Sequence, residues 1–262
     1  MINNIKNAYK GMLLAFGFLT VFPVPRTVEW TPDTMRRALH HFPLCGTLAA
    51  SLAAVIAMVS LSIELPVYAV GFLVLMAFVV VSGGLHLDGW MDVSDAVLSW
   101  KPREEKLAVM KDPLVGSGAV WTTILLLGGK YTAIVTMLDT SMVFFFTALF
   151  AVPVLSRAGM GAVVSRGKLL SSTGLAASFQ QSGKPSDIRW LAGITILSLL
   201  PALYFSLFLT VSLAVISTVC TLALYRFFVR RLGGVNGDTA GASLEGTEAV
   251  LWWSSAVLAV IL

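Results

Sequence analysis

Residues 190–225 read WLAGITILSLLPALYFSLFLTVSLAVISTVCTLALY, 36 positions without a charge. A helix that crosses a bilayer needs roughly 20 apolar residues, because the hydrocarbon core is ~30 Å thick and a helix rises ~1.5 Å per residue. The run is too long for one crossing and long enough for two of about 18 residues, turning near Thr210. The basic residues decide between these readings. Lysines and arginines number five in 1–41, four in 86–112, four in 166–189 and three in 226–248, with Lys130 and Arg157 inside apolar runs. If 190–225 is a hairpin, all four basic segments face one side and the opposite loops carry none, as the positive-inside rule requires.

Outward from this stretch, Phe42 to Ile63 and Leu65 to Leu85 are uncharged and separated by Glu64, with Pro66 just beyond it. They predict a tight helical hairpin. Pro113 to Leu138 is interrupted only by Lys130, Thr140 to Ser165 only by Arg157, and Gly246 to Leu262 is a last, shorter candidate. The expectation is an all-α, polytopic integral membrane bundle of about seven transmembrane helices. It forms one membrane-embedded catalytic domain over 1–262, with its N-terminus cytoplasmic. Gly11 to Phe22 is too short to span and ends at Pro23-Val24-Pro25, so it reads as an interfacial or re-entrant segment rather than a signal peptide.

The composition agrees. Of 262 residues, 57% are apolar and 12% charged, about half the charge of a soluble domain, and the mean hydropathy is +0.85. A soluble enzyme, a disordered chain and a disulfide-stapled secreted module are excluded. The net charge of +4 reflects basic residues held beside anionic headgroups. Nucleic-acid binding is not expected, because no basic run is interleaved with aromatics. Cys45 and Cys220 lie far apart in apolar runs and read as small buried hydrophobes.

Polar chemistry concentrates in three places. In Gly83-Gly84-Leu85-His86-Leu87-Asp88-Gly89-Trp90-Met91-Asp92-Val93-Ser94-Asp95, the three aspartates stand at i, i+4 and i+7 and would converge on one helical face. Like charges at that spacing repel unless a cation neutralises them. Hard oxygen ligands suit Mg²⁺ or Mn²⁺, and Mg²⁺ usually binds through one or two carboxylates together with substrate phosphates. His86 points away from that face, and no second His or Cys stands at zinc-ligand spacing. The second patch runs from Lys101 to Gly118. There Arg103 to Asp112 predicts an amphipathic surface helix ended by Pro113, and Lys111-Asp112 precede Gly116-Ser117-Gly118, where backbone N–H groups could approach a phosphate. The third is Gly233-Gly234-Val235-Asn236-Gly237-Asp238 through Glu245, whose two carboxylates share a face seven residues apart. Arg157, inside a span, is a candidate anion-binding residue, and Lys130 a weaker one.

These residues resemble the cobalamin synthase family, membrane adenosylcobinamide-GDP ribazoletransferases. The resemblance covers most of the chain. It runs through Phe18-Leu19-Thr20 with Pro23-Val24-Pro25, Phe42-Pro43-Leu44 with Gly46, and the acidic stretch from Gly84 to Gly89 with Asp92 and Asp95. It continues through Met110-Lys111-Asp112 with Gly116, Ser156-Arg157, and Gly233-Gly234-Val235-x-Gly237-Asp238-x-x-Gly241-Ala242-x-x-Glu245. Val21 and Leu114 stand where the family commonly has basic residues, Asn236 replaces a usual threonine, and the glycine often found soon after the third aspartate is missing.

The resemblance implies attack of a ribose hydroxyl of α-ribazole, or of its 5′-phosphate, on adenosylcobinamide-GDP, with loss of GMP. It implies Asp88, Asp92 and Asp95 as catalytic and Mg²⁺-binding groups. His86, Lys111, Asp112, Arg157, Asn236, Asp238 and Glu245 would be substrate contacts. The implied setting is the cytoplasmic membrane with the site on its cytoplasmic side, the lipid bilayer around it, and other nucleotide-loop assembly enzymes as possible partners. Two competing readings are separable. A CDP-alcohol phosphotransferase-like enzyme would carry an Ala-Arg pair after its second aspartate and a different downstream spacing. A transporter would place charges deep in broken helices.

Overall fold

The structure, a computed structural model, describes residues 2–25 and 28–262. Among these residues it is all helix with no strand. The helices are α1 (Ile2–Leu19), α2 (Pro32–Ser62), α3 (Val67–Ser82), α4 (Leu85–Leu98), α5 (Arg103–Val109), α6 (Ser117–Thr140), α7 (Met142–Arg166), α8 (Leu175–Gln181), α9 (Asp187–Ser198), α10 (Leu200–Phe205), α11 (Leu207–Arg231) and α12 (Gly237–Ile261).

Five of these, α2, α6, α7, α11 and α12, are long and apolar enough to cross a membrane, and α3 with α4 makes six if counted as one broken span. The expected count of seven is not confirmed. The run 190–225 does break, at Ser206 rather than near Thr210. Ser206 is extended (φ −155°, ψ 110°), and its side chain accepts from the Leu209 N–H to start α11. The preceding limb is itself split into α9 of 12 residues and α10 of 6, with Pro201 opening the second piece.

The hairpin at 63–66 joins α2 to α3 as expected, with Glu64 in the left-handed region at φ 58°. Gly83 and Gly84 then take φ 60° and 74°, backbone that L side chains disfavour, and the chain turns by 87° into α4. Only one limb of such a pair can follow the membrane normal. α3 carries no charge and α4 carries three aspartates, so of the two only α3 suits the interior of a bilayer.

Apolar side chains of α2, α3, α6, α7, α10, α11 and α12 form one core, rich in alanine along α2 at 49, 53, 54 and 57. Small residues let membrane helices approach closely, and a Cβ at Gly46 would stand 2.4 Å from the Pro153 carbonyl oxygen of α7. Outward, Val55, Phe72, Ile124, Val215 and Val257 are exposed, the apolar belt a bilayer covers.

Three further boundaries differ from expectation. Of the segment Gly11 to Phe22, the part up to Leu19 belongs to α1, which begins at Ile2 and buries Leu14, Ala15 and Leu19 against α2, α7 and α12. The helix from Arg103 stops at Val109, before Pro113, and Asp112 instead accepts the Leu114 N–H at 3.0 Å. The last helix begins at Gly237, not Gly246, because Asn236 and Thr239 cap it reciprocally, a side chain of each accepting the other's N–H. Cys45 and Cys220 are both free, and Cys45 is buried.

Candidate active site

The site is built where α4 crosses α12. A Cβ at Gly89 would lie 2.7 Å from the Asp238 carbonyl oxygen, and one at Gly241 would lie 3.2 Å from the His86 carbonyl oxygen. Glycine at these two positions lets the backbones touch, which sets the first turn of α12 against the buried His86–Gly89 side of α4, next to its aspartates. Asp88 is exposed, and Asp92 and Asp238 are half-buried. The Asp92 carboxyl is pushed up to about 6, first by burial and then by the negative charges of Asp88, Asp238 and Asp95. Among the described residues none of Asp88, Asp92 and Asp238 pairs with a lysine or arginine.

Asn236 has two tasks. Its Oδ1 accepts the Thr239 N–H at 3.0 Å, and its Nδ2 donates to Asp238 Oδ2 at 2.8 Å. A threonine at this position could also cap the helix but would lack the amide that donates to Asp238. The loop before it is held by reciprocal backbone bonds, Leu170 N–H to Val235 O at 2.8 Å and Val235 N–H to Lys168 O at 2.7 Å.

The structure does not turn all three aspartates of α4 to one place. Asp95 turns to the start of α6, where its Oδ2 accepts from the Gly116 N–H at 2.6 Å and its Oδ1 from the Ala119 N–H at 2.8 Å. A carboxylate there satisfies orphan donors and complements the helix dipole. Gly116 and Gly118 make room for it: a Cβ at either would meet Asp95 Oδ1 at 2.6 and 2.9 Å. These glycines therefore serve a carboxylate of the protein. The loop carrying Lys111 and Asp112, both exposed, is anchored to α4 through this contact.

Among the described residues no three His, Cys, Asp or Glu side chains form a ready metal cage. The donor set nevertheless fits a hard divalent cation. Asp88, Asp92 and Asp238 are oxygen ligands without a cationic partner, and diphosphate oxygens complete such a shell.

Deeper in the bundle lies a group of charges the sequence reading only half anticipated. Lys130 Nζ donates to Glu245 Oε2 and, at 2.8 Å, to Glu248 Oε2. Arg157 Nη1 donates to Glu248 Oε1 at 3.3 Å and to the Pro153 carbonyl at 3.1 Å, and Ser156 Oγ lies 3.2 Å from Glu248 Oε1. Arg157 thus faces the bundle interior at 2% exposure. Glu245 sits about 10 Å along α12 from Asp238, at ~1.5 Å per residue, and is tied to Lys130 rather than presented beside it. Neither Arg157 nor Glu245 stands with the aspartates as a free substrate contact. Glu248 was missed, although its place three residues after Glu245 puts it on the same face. Charges this deep suit a transporter, but these four are paired with each other around a cavity of about 20 Å³, room for one water.

His86 is buried at 2% exposure and its Nε2 has no partner. Burial holds its imidazole down at about 3, so it is neutral near pH 7. It lines both the small cavity and a second of about 160 Å³ whose walls include Phe18, Phe42, Met160 and Phe179, with Asp88 and Asp238 also on its lining.

Residues 11–256 match the family described as cobalamin-5-phosphate synthase. Among curated relatives, the adenosylcobinamide-GDP ribazoletransferase of Geobacillus kaustophilus is 37% identical over 255 residues, 95% of each chain. That of Halalkalibacterium halodurans is 36% identical over 255 residues, again 95% of each chain. That of Geobacillus sp. strain WCH70 is 33% identical over 253 residues, with the same coverage. No solved structure matches. The family read from the acidic stretch is confirmed along nearly the whole length: the chain belongs to the cobalamin-5-phosphate synthase family.

Proposed function

We propose that this enzyme performs its ribazole transfer, a late step of cobalamin assembly, at the end of the bundle where Asp88, Asp92 and Asp238 meet. The substrates are adenosylcobinamide-GDP and α-ribazole or its 5′-phosphate. A ribose hydroxyl attacks the corrinoid-side phosphorus of the diphosphate. The new O–P bond forms, the P–O bond to GMP breaks, and the hydroxyl proton passes to an aspartate carboxylate. The observation that carries this reading is the α4–α12 crossing at Gly89 and Gly241, which brings Asp238 close enough to Asp88 and Asp92 for their charges to act on one another.

Asp88, Asp92 and Asp238 would hold the metal, Mg²⁺ or Mn²⁺. When bound, such an ion neutralises charge on phosphoryl oxygens and keeps the reacting groups in line. The protein supplies the rest. Asn236 orients Asp238 through its amide. The carboxylate oxygen in this group that is left free of the ion takes the hydroxyl proton. Asp95 is a positioning residue that fixes α6 and the Lys111–Asp112 loop, and Lys111 is free on that loop to meet the diphosphate. Arg157 and Glu245 act through the buried ion cluster that supports α12.

The same reading puts the site on the cytoplasmic face of the cell membrane. Apart from Lys130 and Arg157, every basic residue falls in the four segments that share the site's side. The test uses detergent-purified protein with both substrates and measures GMP release together with formation of the ribazole-bearing corrinoid. Release of GMP only when both substrates and Mg²⁺ are present supports the reading. Loss of GMP without a joined product would overturn it.

A further inference from the structure

The cavity of about 160 Å³ beside the aspartates is framed by α1, α2, α4, α7, α8 and α12. Its deep wall is aromatic: the rings of Phe18, Phe42 and Phe179 lie 5.5 to 6.5 Å apart, centroid to centroid. Leu19 and Ala240 on the same lining are buried, whereas Leu85, Asp88, Leu175 and Gly237 are exposed and mark the mouth. A cavity of this size and apolar lining accepts an aromatic ring; an engineered one of about 150 Å³ binds benzene. The only polar side chains on its lining are Asp88 and Asp238 toward the mouth and the buried His86, whose Nε2 lacks a partner.

We propose that this cavity binds the flat bicyclic base of the ribazole substrate, a benzimidazole riboside. The inference rests on the ribazoletransferase reading and adds to it the subsite of the nucleophile. Three features of the cavity select this ligand. A corrinoid ring system is several times too large for it, and a guanine has polar edges that the three phenylalanines cannot satisfy. A benzimidazole is apolar except for one acceptor nitrogen opposite the sugar linkage, and the unpartnered Nε2 of His86 can supply one donor. With the base among the phenylalanines and its free nitrogen at His86 Nε2, the ribose lies at the mouth, where its hydroxyls meet Asp88 and Asp238. The corrinoid diphosphate then approaches from outside, over the exposed end of α4.

Equilibrium binding of α-ribazole to the purified full-length protein, without the corrinoid substrate, tests this directly. Ala176→Leu fills the cavity from the short helix α8, away from the core crossings. It is expected to weaken α-ribazole binding about tenfold or more, as overpacking a filled site does, and to raise the KM for α-ribazole while the KM for adenosylcobinamide-GDP moves less than twofold. His86→Phe keeps the ring and removes the N–H. It should weaken α-ribazole about tenfold, the worth of one hydrogen bond, yet bind the indole riboside, which has no acceptor nitrogen, as well as the wild type does. That second ligand separates a lost hydrogen bond from a misfolded variant. Equal α-ribazole binding by wild type and Ala176→Leu would overturn the subsite, with a lipid or detergent chain then its occupant, and would leave the reaction intact. A wild type that neither binds nor consumes α-ribazole would instead overturn the function itself.

Discussion

Gly89 of α4 lies against the backbone of Asp238 at the start of α12, so closely that a Cβ on residue 89 would stand 2.7 Å from the Asp238 carbonyl oxygen and 3.0 Å from its Cα. Backbone cannot give way as a flexible side-chain end can. Gly89→Ala should therefore spread α4 from α12 and separate Asp92 from Asp238. The expected result is a loss of GMP release of at least about 10²-fold, ~2.7 kcal/mol of transition-state stabilisation. Gly128→Ala is the control, since nothing lies within 4 Å of its Cβ position. Equal turnover in the two variants would show that the crossing does not set the site.

Asp92 and Asp95 share a helix face but should fail differently when changed to asparagine. Asp95 accepts two backbone N–H groups of α6, and an asparagine offers one acceptor oxygen in place of two. Asp95→Asn should lower thermal stability by about 1–3 kcal/mol, with an activity loss that added Mg²⁺ does not repair. Asp92→Asn should not lower stability and should lose activity, part of which returns at high Mg²⁺ or Mn²⁺ if the residue holds the ion. Paired Tm measurements and Mg²⁺ titrations of both variants decide this.

That contrast marks how far the sequence could be read. The i, i+4, i+7 spacing shows that three aspartates share a face; it cannot show that the start of α6 lies opposite the third. Long uncharged runs made the hairpin at 63–66 legible, because a bilayer demands apolar length. Ser206 as the break in 190–225 was not, since a serine cap inside an apolar run carries no hydropathy signal. The acidic stretch and Asp238 were legible as one site because charge bias put them on one side. Glu248 was overlooked although it follows Glu245 by three residues, and only the fold supplies Lys130 and Arg157 as its partners. The start of the last helix was misplaced for a related reason: apolarity begins after Glu245, whereas the capping residues act at Asn236.

The raised carboxyl of Asp92 predicts a pH dependence of stability in the metal-free protein. An acid held above its ordinary 3.8 favours its protonated form in the folded state. The folded protein then binds more protons than the unfolded one between about pH 4 and 6, so stability falls as pH rises through that window. In EDTA, Asp92→Asn should be more stable than the wild type at neutral pH, and the two should converge below about pH 4. A difference in Tm that is constant with pH would show that Asp92 is not held in its protonated form by its neighbours.

Lys130 is the only cation bonded to Glu245 among the described residues, and it shares Glu248 with Arg157. Removing one member of a buried ion cluster leaves a charge uncompensated, at a cost of about 3–5 kcal/mol. Lys130→Met should destabilise the protein by that amount, and Lys130→Met with Glu245→Gln should recover most of it, because the excess negative charge goes with its partner. Denaturation of the two variants in the same detergent measures the difference. No recovery in the double variant would mean that Lys130 contributes by packing alone.

The side of the membrane can be tested at Gly237, which is exposed, stands at the start of α12 and has no atom within 4 Å of its Cβ position. Glu64 marks the opposite end of the bundle, in the turn between α2 and α3. In a background lacking Cys45 and Cys220, Gly237→Cys should react with a membrane-impermeant maleimide only in inverted membrane vesicles, and Glu64→Cys only in intact cells. The argument is electrostatic. Sixteen of the eighteen lysines and arginines fall in the four sequence segments that the hairpin reading of 190–225 puts on one side, and the remaining two, Lys130 and Arg157, sit within apolar runs. Basic residues near span ends are retained on the cytoplasmic side. Labelling of Gly237→Cys from outside intact cells would reverse the orientation and require both substrates to reach the site from the far side of the membrane.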